Sequence, residues 1–250
     1  MHENKYMRDY MVVQMVQQIR RSMPRIGGKK LYKLLQDDLS KFGYKIGRDK
    51  FFEILRNNKL LVGRKRKYIK TTNSFHRFYK YKNKLQGKSL TGPNQAYVND
   101  ITYLRTRKGF VYLFLQTDAY SRKITGWHLS DSLSIEGAIR ALRMTLSQVK
   151  KPQGIIHHSD RGIQYCSAAY VNILEKHKME ISMTEENHCY ENATAERVNG
   201  ILKDEFLLDE TFEDIKMAKK AVKEAIESYN NIRPHWSLNL STPNQIHLAA

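Results

Sequence analysis

The sequence predicts an α/β fold, a mixed five-stranded sheet flanked by helices, preceded by a small all-helical N-terminal unit. Three observations carry this expectation. Residues 97–104, 110–117 and 123–129 are short runs rich in β-branched and aromatic side chains, separated by Lys108-Gly109 and by Ala119-Tyr120-Ser121-Arg122, the pattern of an antiparallel meander. Two further strand-like runs, 154–158 and 179–183, are separated by a segment of helical period, which is how strands joined by crossover helices read. Residues 1–61, by contrast, place apolar side chains only at helical spacing.

Taken in order, the first helix is expected from Asp9 to Ser22, with Val12, Val13, Met15, Val16 and Ile19 inward and Pro24 stopping it. Gly27-Gly28 separates it from a second, Lys30 to Leu39, carrying Leu31, Leu34, Leu35 and Leu39. After Gly43 and Gly47 a third runs from Arg48 to Asn57, and helix, glycine-containing connection, helix is a helix-turn-helix-like arrangement. Its outward residues Arg48, Lys50 and Arg56 are candidate DNA contacts, with an ordinary three-helix bundle as the alternative. Residues 62–92 read as a basic, aromatic linker in which Arg64, Lys65, Arg66 and Lys67 are further candidates, since cations neutralise phosphates and exposed rings stack on bases. The three meander strands follow, then a helix from Ser134, a plausible N-cap, to about Val149. The strand at 154–158, a helix from Ser167 to His177, the strand at 179–183, a helix over Asn192–Lys203 and a closing helix over Phe212–Ile232 complete the chain.

Composition narrows the function. The net charge of +18 is confined to the first third, where residues 1–92 hold 24 Lys or Arg against 6 Asp or Glu while residues 93–250 balance 19 against 19. Such asymmetry points to a nucleic-acid-binding segment joined to a unit with another task. Cys166 and Cys189 lack zinc-site spacing, and a disulfide scaffold is not needed at this length. No run approaches a membrane span and no apolar leader is present, so the chain is expected to be cytoplasmic, associated with the nucleoid when bound to DNA.

Three carboxylates stand out. Asp100 lies in the first meander strand, Asp160 closes the short strand that begins at Gly154, and Glu196 lies in the periodic segment 192–203. If the first and fourth strands are neighbours, Asp100 and Asp160 lie side by side, and their repulsion calls for a bridging divalent cation such as Mg²⁺, which favours carboxylate oxygen. Paired ions about 3.5–4 Å apart would serve phosphoryl transfer without a protein nucleophile. Lys203 returns to the Glu196 face two turns on and is a candidate DNA contact. His157 and His158 are expected to pack or orient rather than ligate. A DNA-binding protein without catalysis and a nuclease that hydrolyses RNA–DNA hybrids are the competing readings.

The segments Asp100-Ile101-Thr102-Tyr103, Gly109-Phe110-Val111-Tyr112-Leu113, Asp118-Ala119-Tyr120-Ser121-Arg122, His158-Ser159-Asp160-Arg161-Gly162-Ile163-Gln164-Tyr165 and Asn192-Ala193-Thr194-Ala195-Glu196 with Lys203, together with Tyr229-Asn230-Asn231-Ile232-Arg233-Pro234-His235 and Thr242-Pro243, resemble the transposases of the insertion sequence 3 family, in particular the OrfB product with its integrase-type DDE catalytic core. The resemblance implies an RNase H-like core at 93–210 between the N-terminal helices (1–61), the linker (62–92) and a C-terminal helix and tail (211–250). It further implies Asp100, Asp160 and Glu196 as catalytic residues holding two Mg²⁺ ions, for which Mn²⁺ substitutes, with Lys203 on the transposon end. Arg122 is a further candidate DNA contact. Element-end inverted repeats and target DNA, OrfA or an OrfA fusion, and further copies of the chain on DNA are the partners it implies. Two positions depart from the family pattern, Tyr97 where Trp is common and Glu191 where Asp is common.

Overall fold

The computed structural model describes residues 2–63, 79–185 and 192–249. Three helices open the chain: α1 (His2–Ser22), α2 (Gly28–Lys41) and α3 (Arg48–Asn57). The expected apolar positions close on one another, with Val12, Val16, Leu31, Leu35, Leu39, Phe51, Ile54 and Leu55 all buried. Gly28 lets α2 start close to α3, since a Cβ there would lie 3.0 Å from the Phe52 ring and force it to shift.

Next comes the meander, β1 (Ala96–Thr106), β2 (Gly109–Asp118) and β3 (Ile124–Ser130), antiparallel throughout. A crossover through α4 (Ile135–Leu146) leads to β4 (Ile156–Ser159), and α5 (Ile163–Cys166) with α6 (Ala168–Lys176) leads to β5 (Glu180–Met183). Both β4 and β5 run parallel to β1, giving the order β3-β2-β1-β4-β5. The chain continues through α7 (Ala193–Glu205), a two-residue strand β6 (Thr211–Phe212), α8 (Ile215–Asn231), a 3₁₀ turn (Trp236–Leu238) and α9 (Pro243–Leu248).

Helices cover both sheet faces, so the strands read as nearly continuous apolar runs. Alternate residues sort by face. Tyr97 and Phe114 join Ala138, Leu142, Tyr170 and Leu174 of α4 and α6, whereas Leu104, Leu113 and Leu115 join Val198, Leu202, Val222 and Ile226 of α7 and α8. The second cluster continues without a break into α1–α3, so the N-terminal helices share a core with α7 and α8.

Several boundaries differ from expectation. The closing helix begins at Ile215, because Asp214 caps it by accepting the Met217 N–H at 2.8 Å, and Thr211–Phe212 instead pairs with Arg105–Thr106 as a sixth strand. Ser134 occupies the N-cap of α4 but its side chain makes no capping bond. The C-terminal α9 was not anticipated. Thr242 and Gln245 form a reciprocal capping box around Pro243, a signal present in the sequence. The end of the basic segment lies against the sheet edge, with the Lys84 N–H donating to Ser182 Oγ at 2.8 Å and Tyr81 and Leu85 on the core.

Candidate active site

The last paired residues of β1 and β4 are Asn99 and Ser159, so the next residue on each parallel strand is an aspartate, Asp100 on one and Asp160 on the other. Beyond this point β4 ends. β6 meets β1 only at Arg105 and Thr106, and among the described residues no strand covers the 100–104 edge between them. Strand termination thus opens the sheet at the acidic pair.

Each carboxylate is held by its surroundings. Asp100 Oδ1 accepts the Ile101 N–H at 2.9 Å and its Oδ2 accepts from Asn199 Nδ2 at 2.7 Å. Asp160 Oδ1 accepts the Gly162 N–H at 3.0 Å, an approach open because a Cβ at 162 would sit 2.9 Å from that oxygen. Burial, then repulsion by Asp160, pushes the Asp100 carboxyl up to about 7, and the Asn199 and Ile101 bonds only partly offset this. Burial costs a charged acid its water, and a like charge beside it adds to the cost.

Glu196 stands exposed in the first turn of α7, where the helix dipole favours an acid. The helix is tied to the acidic strands at two places: Asn192 Nδ2 donates to the Asn99 carbonyl at 3.1 Å, and Asn199 reaches Asp100 one turn after Glu196. Lys203, a further turn on, is half-buried with its ammonium 4.5 Å from the centre of the Tyr103 ring. Burial lowers the Lys203 pKa while the Asp100 charge supports its cation. Glu196, Asn199 and Lys203 therefore lie at i, i+3 and i+7 along one side of α7.

Hard carboxylate oxygens suit Mg²⁺, and the repulsion that raises the Asp100 pKa is what a divalent cation between Asp100 and Asp160 would relieve. The donor chemistry of that pair fits the metal. Among the described residues, however, no three His, Cys, Asp or Glu side chains come close enough to hold an ion together. Asp100 and Asp160 are brought side by side; Glu196 is the weakest contributor to the shift at Asp100.

The remaining candidates lie elsewhere. Arg48 and Arg56 are exposed on α3, with Arg48 beside Asp49 at 3.1 Å, and Lys50 is half-buried against Glu53 at 2.6 Å. Arg122, at a left-handed φ of 65° in the turn before β3, donates from Nη1 to Thr194 Oγ1 at 3.0 Å and so touches the start of α7. Arg64, Lys65, Arg66 and Lys67 lie outside the described residues, as do Cys189 and Glu191. His157 bonds Tyr170 Oη at 2.8 Å and His158 bonds Ser182 Oγ at 2.9 Å, both buried within β4 and, as successive strand residues, on opposite faces of the sheet. Asn199 and Asn192 were missed, because an asparagine in a helical segment carries no signal until its partner strand is known. No described helix is long and apolar enough to cross a membrane.

Comparison with known proteins gives the family. Residues 91–189 and 177–243 each match an integrase core domain family. Transposase InsF for insertion sequence IS3A of Escherichia coli (strain K12) is 36% identical over 224 residues, 88% of this chain and 76% of its own. An uncharacterized 31 kDa protein of insertion element IS600 from Shigella sonnei is 36% identical over 211 residues, 84% of this chain and 78% of its own. Among solved structures, a simian T-cell lymphotropic virus intasome chain superposes with a TM-score of 0.55 at 16% identity, covering 88% of this chain and 74% of that one. The HTLV-2 integrase catalytic core domain superposes with a TM-score of 0.50 at 19% identity, covering 63% of this chain and 98% of its own. These two likenesses show an integrase-type, RNase H-like fold. The identity and coverage shared with the insertion-element proteins show that the chain belongs to the insertion sequence 3 family of transposases.

Proposed function

We propose that this transposase is a two-metal polynucleotidyl transferase in which Asp100, Asp160 and Glu196 hold two Mg²⁺ ions, replaceable by Mn²⁺, and that it nicks insertion-sequence ends and joins the freed 3′-hydroxyl to target DNA. The observation that carries the reading is the acidic pair at matching positions on adjacent parallel strands, with the helix of Glu196 bonded to one member. Bound there, Mg²⁺ would favour the deprotonated attacking oxygen and neutralise charge on the leaving oxygen.

The chain's own residues supply position. Asn199 and the Ile101 N–H fix the two oxygens of Asp100, and the Gly162 N–H fixes one oxygen of Asp160. Glu196 stands exposed on the side of α7 that Asn199 ties to β1, able to swing toward the pair. Lys203, already beside Tyr103, would meet a DNA phosphate near the scissile one. Among the described residues no β-strand covers the β4 side of β1 at 100–104, which would leave that edge to a DNA strand. Element-end inverted repeats and target DNA are the proposed substrates, with OrfA or its fusion and further copies of this chain completing the assembly on DNA. The simian T-cell lymphotropic virus intasome, an assembly whose chain shares this fold, supports the last point.

Asp160→Asn, Asp100→Asn and Glu196→Gln should each abolish joining of a labelled 3′ end to target DNA in Mg²⁺, with circular dichroism unchanged. Parental joining by purified Asp160→Asn would remove the metal role. Hydrolysis of an RNA–DNA hybrid without joining of element-end duplex would favour a nuclease instead.

A further inference from the structure

We propose that the cavity beside the first turn of α7, on the side away from the Asp100 and Asp160 strands, binds one unpaired nucleotide of a DNA strand, its phosphate held by Arg122 and Arg197 and its base stacked on Trp236. The proposal rests on the polynucleotidyl transfer reading and adds a second station on the helix that carries Glu196.

The cavity measures about 330 Å³ and is lined by the first-turn residues Ala193 and Thr194, by Arg122 and Arg197, and by His235 and Trp236. No carboxylate lines it among the described residues, and the third lining arginine, Arg233, is occupied by Glu205 at 2.7 Å. Arg122 commits Nη1 to Thr194 Oγ1 and retains further guanidinium donors. Asn192 at the N-cap of α7 supplies no side-chain cap, so the first-turn N–H groups add their partial positive charge.

Two aromatic observations separate a nucleotide from a bare anion. Trp236 lines the cavity and is 57% exposed, although its loop is tied down by the His235 N–H to Ser241 carbonyl bond at 3.0 Å and the Leu240 N–H to His235 carbonyl bond at 2.8 Å. A large apolar ring held exposed on a pinned loop beside two arginines is the stacking-plus-cation combination that binds single-stranded DNA. His235 is 6% exposed, lines the same cavity, and its buried Nε2 has no partner among the described residues. Burial keeps this imidazole neutral, so it brings no charge to favour a bare anion and its Nε2 is available to a base edge.

Placement follows from helix geometry. Residues two apart diverge by about 200° around the axis, so Arg197 faces the cavity while Asn199 faces Asp100. A strand whose scissile phosphate lies at the carboxylates can pass over the start of α7 and leave an adjoining unpaired nucleotide here.

The test uses the full chain carrying Trp127→Phe, which leaves Trp236 as the sole tryptophan. Probes are a blunt duplex, the same duplex with an unpaired 5′ or 3′ tail, and short oligothymidylate. Tailed duplex and oligothymidylate should quench Trp236 emission and blunt duplex should not; the tail polarity that quenches names the strand. Trp236→Ala should weaken tailed-duplex binding about tenfold or more, with Trp236→Phe recovering most of it. Arg197→Ala should flatten the log affinity against log salt slope by about 0.7. Equal quenching by blunt and tailed duplex, no quenching, or parental tailed-duplex affinity in Trp236→Ala overturns the subsite. Loss of joining in Asp160→Asn is read on blunt ends, so the subsite and the transfer reading fail separately.

Discussion

Asn199 Nδ2 lies 2.7 Å from Asp100 Oδ2, a side-chain bond that ties the helix carrying Glu196 to the strand carrying Asp100. The Asn199 Oδ1 is buried without a partner among the described residues, so the amide is spent on this one contact. A hydrogen bond to a charged group contributes about 1.5–3 kcal/mol, and its donor here also fixes which way an acid crowded by Asp160 must face.

Asn199→Ala is therefore expected to slow strand transfer about tenfold or more at saturating DNA and metal, and to lower the melting temperature by about 3–12 °C. Asn199→Asp should be worse, since it sets a third acid against the pair. Single-turnover joining measures both, and an unchanged rate in Asn199→Ala would show that Asp100 needs no such tether.

The other end of α7 makes a second prediction. Glu205 receives Lys30 Nζ at 2.7 Å and Arg233 through two bonds of 2.8 and 2.7 Å, and all three side chains are largely buried. Burial opposes its ionisation, but the Arg233 bond and charge, followed by Lys30, hold the Glu205 carboxyl below its usual range. Burial and the Arg233 charge lower the Lys30 pKa despite its partner, so Arg233 has the first claim on the acid. Glu205→Ala leaves two buried cations unpaired and should cost about 3–5 kcal/mol in urea denaturation. Lys30→Met should cost much less, because Glu205 keeps Arg233. A Glu205→Ala loss below about 1 kcal/mol would mean that water reaches the network.

The sheet was legible because both of its signals are local. Period-two runs and two tight turns give the meander, and the alternation at 154–183 gives the parallel strands. The adjacency of Asp100 and Asp160 needed only one assumption about strand order, and the register bears that order out. What stayed hidden depends on distant partners. Lys30 and Glu205 are separated by 175 positions, and each alone reads as an ordinary surface charge. Phe212 was read into α8 because an apolar residue three before a helical run fits either state until β1 offers it a strand to pair with.

The exposed face of α3 can be tested on the whole chain. Removing residues 1–92 would be a poor experiment, because Val12, Leu31 and Phe51 belong to one buried cluster with Val198, Leu202 and Val222. Arg48→Ala with Arg56→Ala changes exposed side chains only. If both meet duplex phosphates, the log–log salt slope of binding should flatten by about 1.8, at about 0.9 per phosphate. An unchanged slope would assign α3 to packing and leave duplex binding to other cations.

Two buried histidines should make the fold sensitive to mild acid. His157 is 1% exposed beside Tyr170, and His235 is 6% exposed beside Tyr229. Burial pushes each imidazole down to about 3, against about 6.5 in the unfolded chain. Between those values the unfolded state binds protons that the native state refuses, so stability falls as pH falls from about 6.5, by up to about 1.4 kcal/mol per unit for each histidine. Above pH 6.5 both forms are neutral and the contribution is flat. Asp100, raised by burial to about 7, takes up a proton in the native state over the same range and offsets about one histidine's slope. Urea midpoints measured from pH 6.5 to 5 should therefore decline with about half of the two-histidine slope, and His235→Gln should remove most of that decline. The cavity beside His235 gives the same experiment a second reading, because an oligonucleotide that bonds the neutral Nε2 should oppose protonation and shift the decline toward lower pH.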